Sequence, residues 1–302
     1  MHLSNNSAIS KILQGVFAVY RDRVPDVQKI TNAMVSQGIV AGQSEILNDH
    51  IAFRTMGVDH LGIASFEKIF LAHGYEKRDY FFFEGKKLNA YWYAPPDDEL
   101  PRIFISELRV KDLSEKTQQI ISKYTGDLTS DPVDALDLID VEAVIEFFHR
   151  PLWQLPTLED YQALLEESEY AAWVIYNRYY LNHYTISVHQ LDGAYRTLEQ
   201  FNDFLKSIGI TLNNAGGEIK VSPDGLLRQS SSVAEKVEAE FACGEKTIIS
   251  GSYVEFAERL PLPEFAHLPF NEIKRPMRRD GFESGNADKI FESTFTTQTS
   301  RT

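Results

Sequence analysis

The chain has 302 residues, 43% hydrophobic, 12% aromatic and 25% charged, which is ample apolar material for a large core. Its formal charge of −14 argues against nucleic acid and anionic membranes as general partners, and obliges any anionic substrate to find a local cationic patch. A single cysteine, Cys243, excludes an internal disulfide and a thiolate zinc site, so a bound metal would rest on histidine and carboxylate, and a reducing cytoplasm is the expected location.

The first residues lack a basic region followed by an apolar one, and no apolar run approaches the roughly 20 residues that span a bilayer, so neither a signal peptide nor a membrane segment is expected. Residues 7–44 predict two helices. Ile9, Ile12, Leu13, Val16, Phe17 and Tyr20 recur at three- and four-residue spacing. Val27, Ile30, Met34 and Val35 mark a second helix that ends near Gly38.

Residues 45–112 read as strand, helix and three strands. In the opening strand, 48–55, alternation puts His50, Ala52 and Arg54 on one face and Asp49, Ile51 and Phe53 on the other. The ordinary reading of the first face is a polar side turned to solvent. The functional reading is a pocket, with an imidazole for a metal and a guanidinium for a carboxylate. A short helix through Phe66, Ile69, Phe70 and Leu71 ends near Gly74, followed by strands at 80–84, 88–93 and 102–110. Residues 113–181 predict a helical insertion whose aromatic run, 170–180, reads as core.

Residues 182–260 repeat the order. A strand opens on His183 behind Asn182, a helix carries Leu198, Phe201, Leu205 and Ile208, and strands are expected around 220–221, 226–232, 238–242 and 248–259. The last segment, 261–302, reads as loop and tail. Lys274, Arg275, Arg278 and Arg279 read there as a solvated surface run or, less simply, as a cap offsetting charge near an anionic ligand. Residues 294–302 read as frayed. The expectation is an α+β chain, fused into one domain over 1–302, whose two repeated units pair into a central curved sheet.

Each unit opens on a histidine, His50 or His183, and closes on a strand glutamate, Glu107 or Glu255. If the units pair pseudo-symmetrically, two imidazoles and one carboxylate converge, which is the set expected of non-haem Fe(II) oxygenases. Glu255 is favoured because the small residues Ser250, Gly251 and Ser252 precede it, whereas Arg109 is placed to pair with Glu107 at the surface. His189 is the spare ligand candidate. Asn182 or Asp49 would orient ligands from behind.

The segments 49–55, 182–184, 253–259 and 285–293 together resemble the 2-oxoadipate dioxygenase/decarboxylase family, related to the vicinal oxygen chelate fold. The resemblance implies two βαβββ units of that fold around Fe(II) held by His50, His183 and Glu255. It implies substrate binding by Arg54, and by Gly285 and Asn286 ahead of the C-terminal Ile-Phe-x-Ser motif. The implied reaction takes 2-oxoadipate and O2 to 2-hydroxyglutarate and CO2, a step of lysine breakdown with a single organic substrate. Two alternatives stay open: an isomerase or hydrolase of the same fold using another divalent ion, and a non-catalytic anion-binding protein. The oligomeric state is not legible.

Overall fold

The computed structural model describes residues 6–191 and 193–302. Helix α1 (Ala8–Arg23) starts where the Ser7 hydroxyl accepts the Ser10 amide, and α2 (Pro25–Ser36) starts on a proline whose missing N–H costs nothing at that position. The first unit follows as β1 (Asn48–Met56), α3 (Ile63–Leu71), β2 (Glu76–Phe83), β3 (Leu88–Ala94) and β4 (Arg102–Leu108). The insertion is α4 (Glu115–Thr125), α5 (Val141–His149), α6 (Leu158–Glu167) and α7 (Glu169–Asn177). The second unit comprises β5 (His183–Ser187), α8 (Leu198–Ser207), β6 (Lys220–Val221), β7 (Leu227–Ser231), β8 (Lys236–Glu240), β9 (Lys246–Ser250) and β10 (Tyr253–Arg259). Helices α9 (Ser284–Phe291) and α10 (Thr296–Thr299) end the chain.

One eight-stranded sheet runs β2-β3-β4-β1-β5-β10-β7-β6. The order is a palindrome of the two units. Within each, the opening strand lies parallel to the closing strand, β1 to β4 and β5 to β10, and the units meet where β1 and β5 run antiparallel. The aromatic run of the insertion is core as expected: Tyr170, Trp173 and Tyr179 are buried. Helix α9 packs against β2 at one edge of the sheet and against β6 and β7 at the other, closing its concave side.

Three expectations are corrected. Residues 238–242 and 248–259 do not supply two strands to the main sheet. Instead β8 and β9 form a separate hairpin, and only β10 joins the sheet. Gly251 and Ser252 break the run, the Gly251 amide turning back to the Glu235 carbonyl. Lys236, Glu238 and Glu240 keep the hairpin outside, with Ala239 and Ile249 as its buried contacts. The tail is docked, not frayed: Thr294, Gln298 and Thr299 are buried, Gln298 accepts the Asn214 amide and Arg301 donates to the Leu212 carbonyl. Polar residues fastened by hydrogen bonds leave no hydrophobic period to read. The basic run is not a solvated surface either. Arg278 is buried, Arg275 donates to the Leu100 carbonyl and Arg279 pairs with Asp224.

Candidate metal centre

Strand register decides which side chains meet. His50 lies opposite Arg102 on β4 and His183 opposite Tyr253 on β10, while Ala52 pairs with His183 across the junction of the units. The two imidazoles therefore stand on adjacent central strands, ring centroids 5.5 Å apart and nearly perpendicular. Glu255 sits two residues beyond the partner of His183, an even step that keeps it on the same face. The matching step in the first unit leads from Arg102 to Phe104, so a phenyl ring stands where the second unit has its carboxylate.

Glu107 is three residues beyond Phe104 and faces the other way. Its Oε2 accepts the Ile63 amide at the start of α3, against Gly62, where φ is +85° and a Cβ would fall 2.2 Å from that oxygen. It caps a helix and has no access to the histidines. The expected Glu107–Arg109 pair is absent too, since Arg109 pairs with Asp112.

His50, His183 and Glu255 are all buried, and their ligand atoms lie within 4.8 Å of one another. Glu255 Oε1 is 3.4 Å from His50 Nε2, and Oε2 is 3.0 Å from His183 Nε2. Each imidazole is oriented from behind, His50 Nδ1 by Asp49 Oδ1 at 2.8 Å and His183 Nδ1 by Asn182 Oδ1 at 3.0 Å. That leaves both Nε2 atoms facing Glu255, with the Thr185 hydroxyl also 3.0 Å from His50 Nε2, and two nitrogens with a carboxylate suit a divalent transition metal. Burial would raise the Glu255 carboxyl, but both imidazoles hold it far below the ordinary range. His50 is pulled down by burial and pushed further up by Glu255 and Asp49, whereas burial wins at His183 and lowers it.

Asp49 breaks the simple alternation. A bulge between Asn48 and Ile51 lets its carboxylate reach His50 and also Arg259, whose Nε and Nη2 donate at 2.7 and 2.9 Å. Burial alone would raise Asp49; Arg259 and Arg102 hold it well below its usual value. A depressed folded pKa stabilises the protein fully above the unfolded value of about 4, and that contribution is lost progressively as pH falls from there through the folded value. The metal-free protein should therefore lose stability below about pH 4, and Asp49→Asn should flatten that part of a chemical-denaturation profile taken against pH.

Gln229 was not foreseen. Its Nε2 donates to Glu255 Oε1 at 2.7 Å, and its Oε1 accepts from Asn286 Nδ2 at 3.0 Å. Gln229→Leu leaves that carboxylate without its neutral donor and should weaken metal affinity about 10- to 100-fold in a chelator competition, with the fold intact.

A small cavity, about 20 Å³, adjoins the three residues, walled by Phe104, Tyr253, Phe282, Ile290 and Phe291. Gly285 is exposed with open space around its Cα, and Asn286 is buried but committed to Gln229 and the Leu227 carbonyl. The cavity wall of that helix is Ala287, Ile290 and Phe291, and Asn286 reaches the site through Gln229. A helix, unlike a strand, turns consecutive residues away from one face. His189 is buried away from the cluster, where its Nδ1 accepts the Arg259 amide.

Arg54 is 1% exposed, so the solvent-facing reading of its strand face fails. Its Nη1 donates to Thr294 Oγ1 at 2.9 Å and its Nη2 to the Phe291 carbonyl at 3.1 Å, tying down the segment that covers the cavity. Nε is unpartnered. The rings of Tyr170 and Trp173 lie 5.0 and 5.1 Å from its Cζ. Among the described residues no carboxylate pairs with it, and burial lowers its pKa.

Residues 12–266 match the family model described as 2-oxoadipate dioxygenase/decarboxylase. The chain is 42% identical over 311 aligned positions to the chloroplastic 2-oxoadipate dioxygenase/decarboxylase of Arabidopsis thaliana, covering 98% of this chain and 80% of that one. It is 43% identical to the Oryza sativa subsp. japonica enzyme of that name, chloroplastic/amyloplastic, covering 98% and 81%. The solved structure of an Oryza sativa hydroxyglutarate synthase in complex with 2-oxoadipate superposes with a TM-score of 0.87 at 43% identity, covering 96% of this chain and 93% of that one. A glyoxalase superfamily protein from Ralstonia eutropha JMP134 shares the fold at a TM-score of 0.72 and 23% identity, covering 91% and 85%. No described helix is long and apolar enough to cross a membrane. By match and by architecture, this chain belongs to the 2-oxoadipate dioxygenase/decarboxylase family.

Proposed function

We propose that the protein converts 2-oxoadipate and O2 to 2-hydroxyglutarate and CO2, using Fe(II) held by His50, His183 and Glu255. The observation that carries this reading is the convergence of those three ligand atoms within 4.8 Å, in a chain that also buries an arginine with no carboxylate partner among the described residues. Bound Fe(II) would supply the redox chemistry that joins O2 to the substrate and releases CO2.

The protein's own part is to bind, orient and exclude water. Asp49 and Asn182 hold the imidazoles in the tautomer that presents Nε2, and Gln229 fixes one oxygen of Glu255. Arg54 lies four residues along β1 from His50, about 13 Å at Cα and on the same face, so a six-carbon diacid held at the metal would extend toward it. An uncompensated buried guanidinium is costly, and a substrate carboxylate would offset that cost. Phe104, Phe282 and Phe291 wall the reacting end from water. We place the reaction in lysine breakdown and, by our reading, in the cytoplasm.

The test is oxygen uptake by the Fe(II)-loaded protein with 2-oxoadipate, with CO2 and 2-hydroxyglutarate measured together. Equal amounts of O2 consumed and CO2 released support the proposal. Zinc in the site with no uptake would instead favour Lewis-acid chemistry in the same fold.

A further inference from the structure

On the far side of Asp49 from His50 lies a second cavity, about 460 Å³, into which four arginines gather: Arg102, Arg259, Arg275 and Arg278. We propose that it is a second anion site, built for a small dianion, either a tetrahedral oxyanion or a dicarboxylate.

Four arginines meet Asp49 inside, Asp98 and Glu99 at the rim and Asp280 on Arg102, so what calls for an anion is the set of unpaired donors on buried Arg278. Arg259 is committed to Asp49 and to the Gly281 and Arg279 carbonyls. Arg102 donates to Asp280 at 2.6 Å and stands 3.5 Å from Asp49. The Asp49 charge is thus shared by two guanidiniums and His50. Arg275 donates to the backbone carbonyls of Asp98 and Leu100, and the Asp98 carboxylate is 4.0 Å from its Nε. Arg278 is 4% exposed. Its Nη1 donates to the Arg259 carbonyl at 2.9 Å, while Nε and Nη2 have no hydrogen-bond partner among the described residues.

The carboxylates facing these two arginines, Asp98 and Glu99, sit exposed at the rim. Burial, with Arg259 and Arg275 adding repulsion, pulls Arg102 down to about 10, a sign of crowded positive charge. His189 also lines the cavity. Burial keeps it neutral, and its Nδ1 lies 3.2 Å from the Arg259 amide and 3.3 Å from the Ala257 carbonyl. Buried donors without acceptors cost free energy, and charge-assisted bonds to an oxyanion remove that cost. The basic run 274–279 thereby acquires a role apart from the metal.

The test is isothermal titration of the metal-loaded protein with sulfate and, separately, with glutarate at constant ionic strength. Wild type is compared with Arg275→Gln and Arg278→Gln. Binding of either probe, weakened about tenfold or more in the variants while metal content stays at the wild-type level, supports the site. Sulfate alone marks a tetrahedral oxyanion, glutarate alone a dicarboxylate. No binding of either at millimolar concentration, or undiminished binding in the variants, overturns it. If Arg278→Gln loses the native circular dichroism spectrum, Arg275→Gln decides. The calorimetric readout does not depend on turnover, so the outcome stands apart from the proposed reaction.

Discussion

His50→Ala, His183→Ala and Glu255→Ala should each purify without bound metal, whereas Glu107→Ala should retain a full complement. The loss should exceed the roughly 100-fold that a missing supporting hydrogen bond costs, because each substitution removes one of three ligands outright. Glu107→Ala removes the acceptor at the start of α3 and should cost about 1 kcal/mol of stability, visible in denaturation and not in metal content. Metal stoichiometry by plasma emission, with far-ultraviolet circular dichroism as the check on folding, separates the two kinds of loss. An empty Glu107→Ala protein would mean that the carboxylate is wrongly assigned.

Arg54→Lys should lower kcat/KM for 2-oxoadipate by about 100-fold or more while leaving metal content unchanged. The charge survives in this variant, so what it tests is shape. Two guanidinium nitrogens already hold the Phe291 carbonyl and the Thr294 hydroxyl, and Nε remains for an anion. A single ammonium cannot serve three acceptors spread over that fork. Steady-state kinetics on the metal-loaded variant provides the measurement, and near-wild-type kinetics would remove Arg54 from substrate binding.

The repeated unit was legible because its signals are local. Helix stripes such as Ile9 to Tyr20 and strand runs such as residues 48–55 need only neighbouring letters. The two histidines were legible because each opens its unit. The choice between Glu255 and Glu107 was sounder than its stated reason: the small residues before Glu255 form the turn that splits off the hairpin. What selects Glu255 is an even register step from the strand beside His183, and the corresponding step in the first unit lands on Phe104. Asp49's hold on His50 was readable from adjacency, but its pairing with Arg259, 210 residues away, and the reach of Gln229 from β7 to Glu255 on β10 leave no local pattern. Arg259 had one readable trace: it follows Glu255 by four residues, as Arg54 follows His50.

The most direct test of the metal centre is anomalous diffraction from crystals of the iron-loaded protein, recorded above and below the iron edge. One strong peak is expected within bonding distance of His50 Nε2, His183 Nε2 and the Glu255 carboxylate. A peak elsewhere in the chain, or one at these residues that persists below the iron edge, would contradict the account.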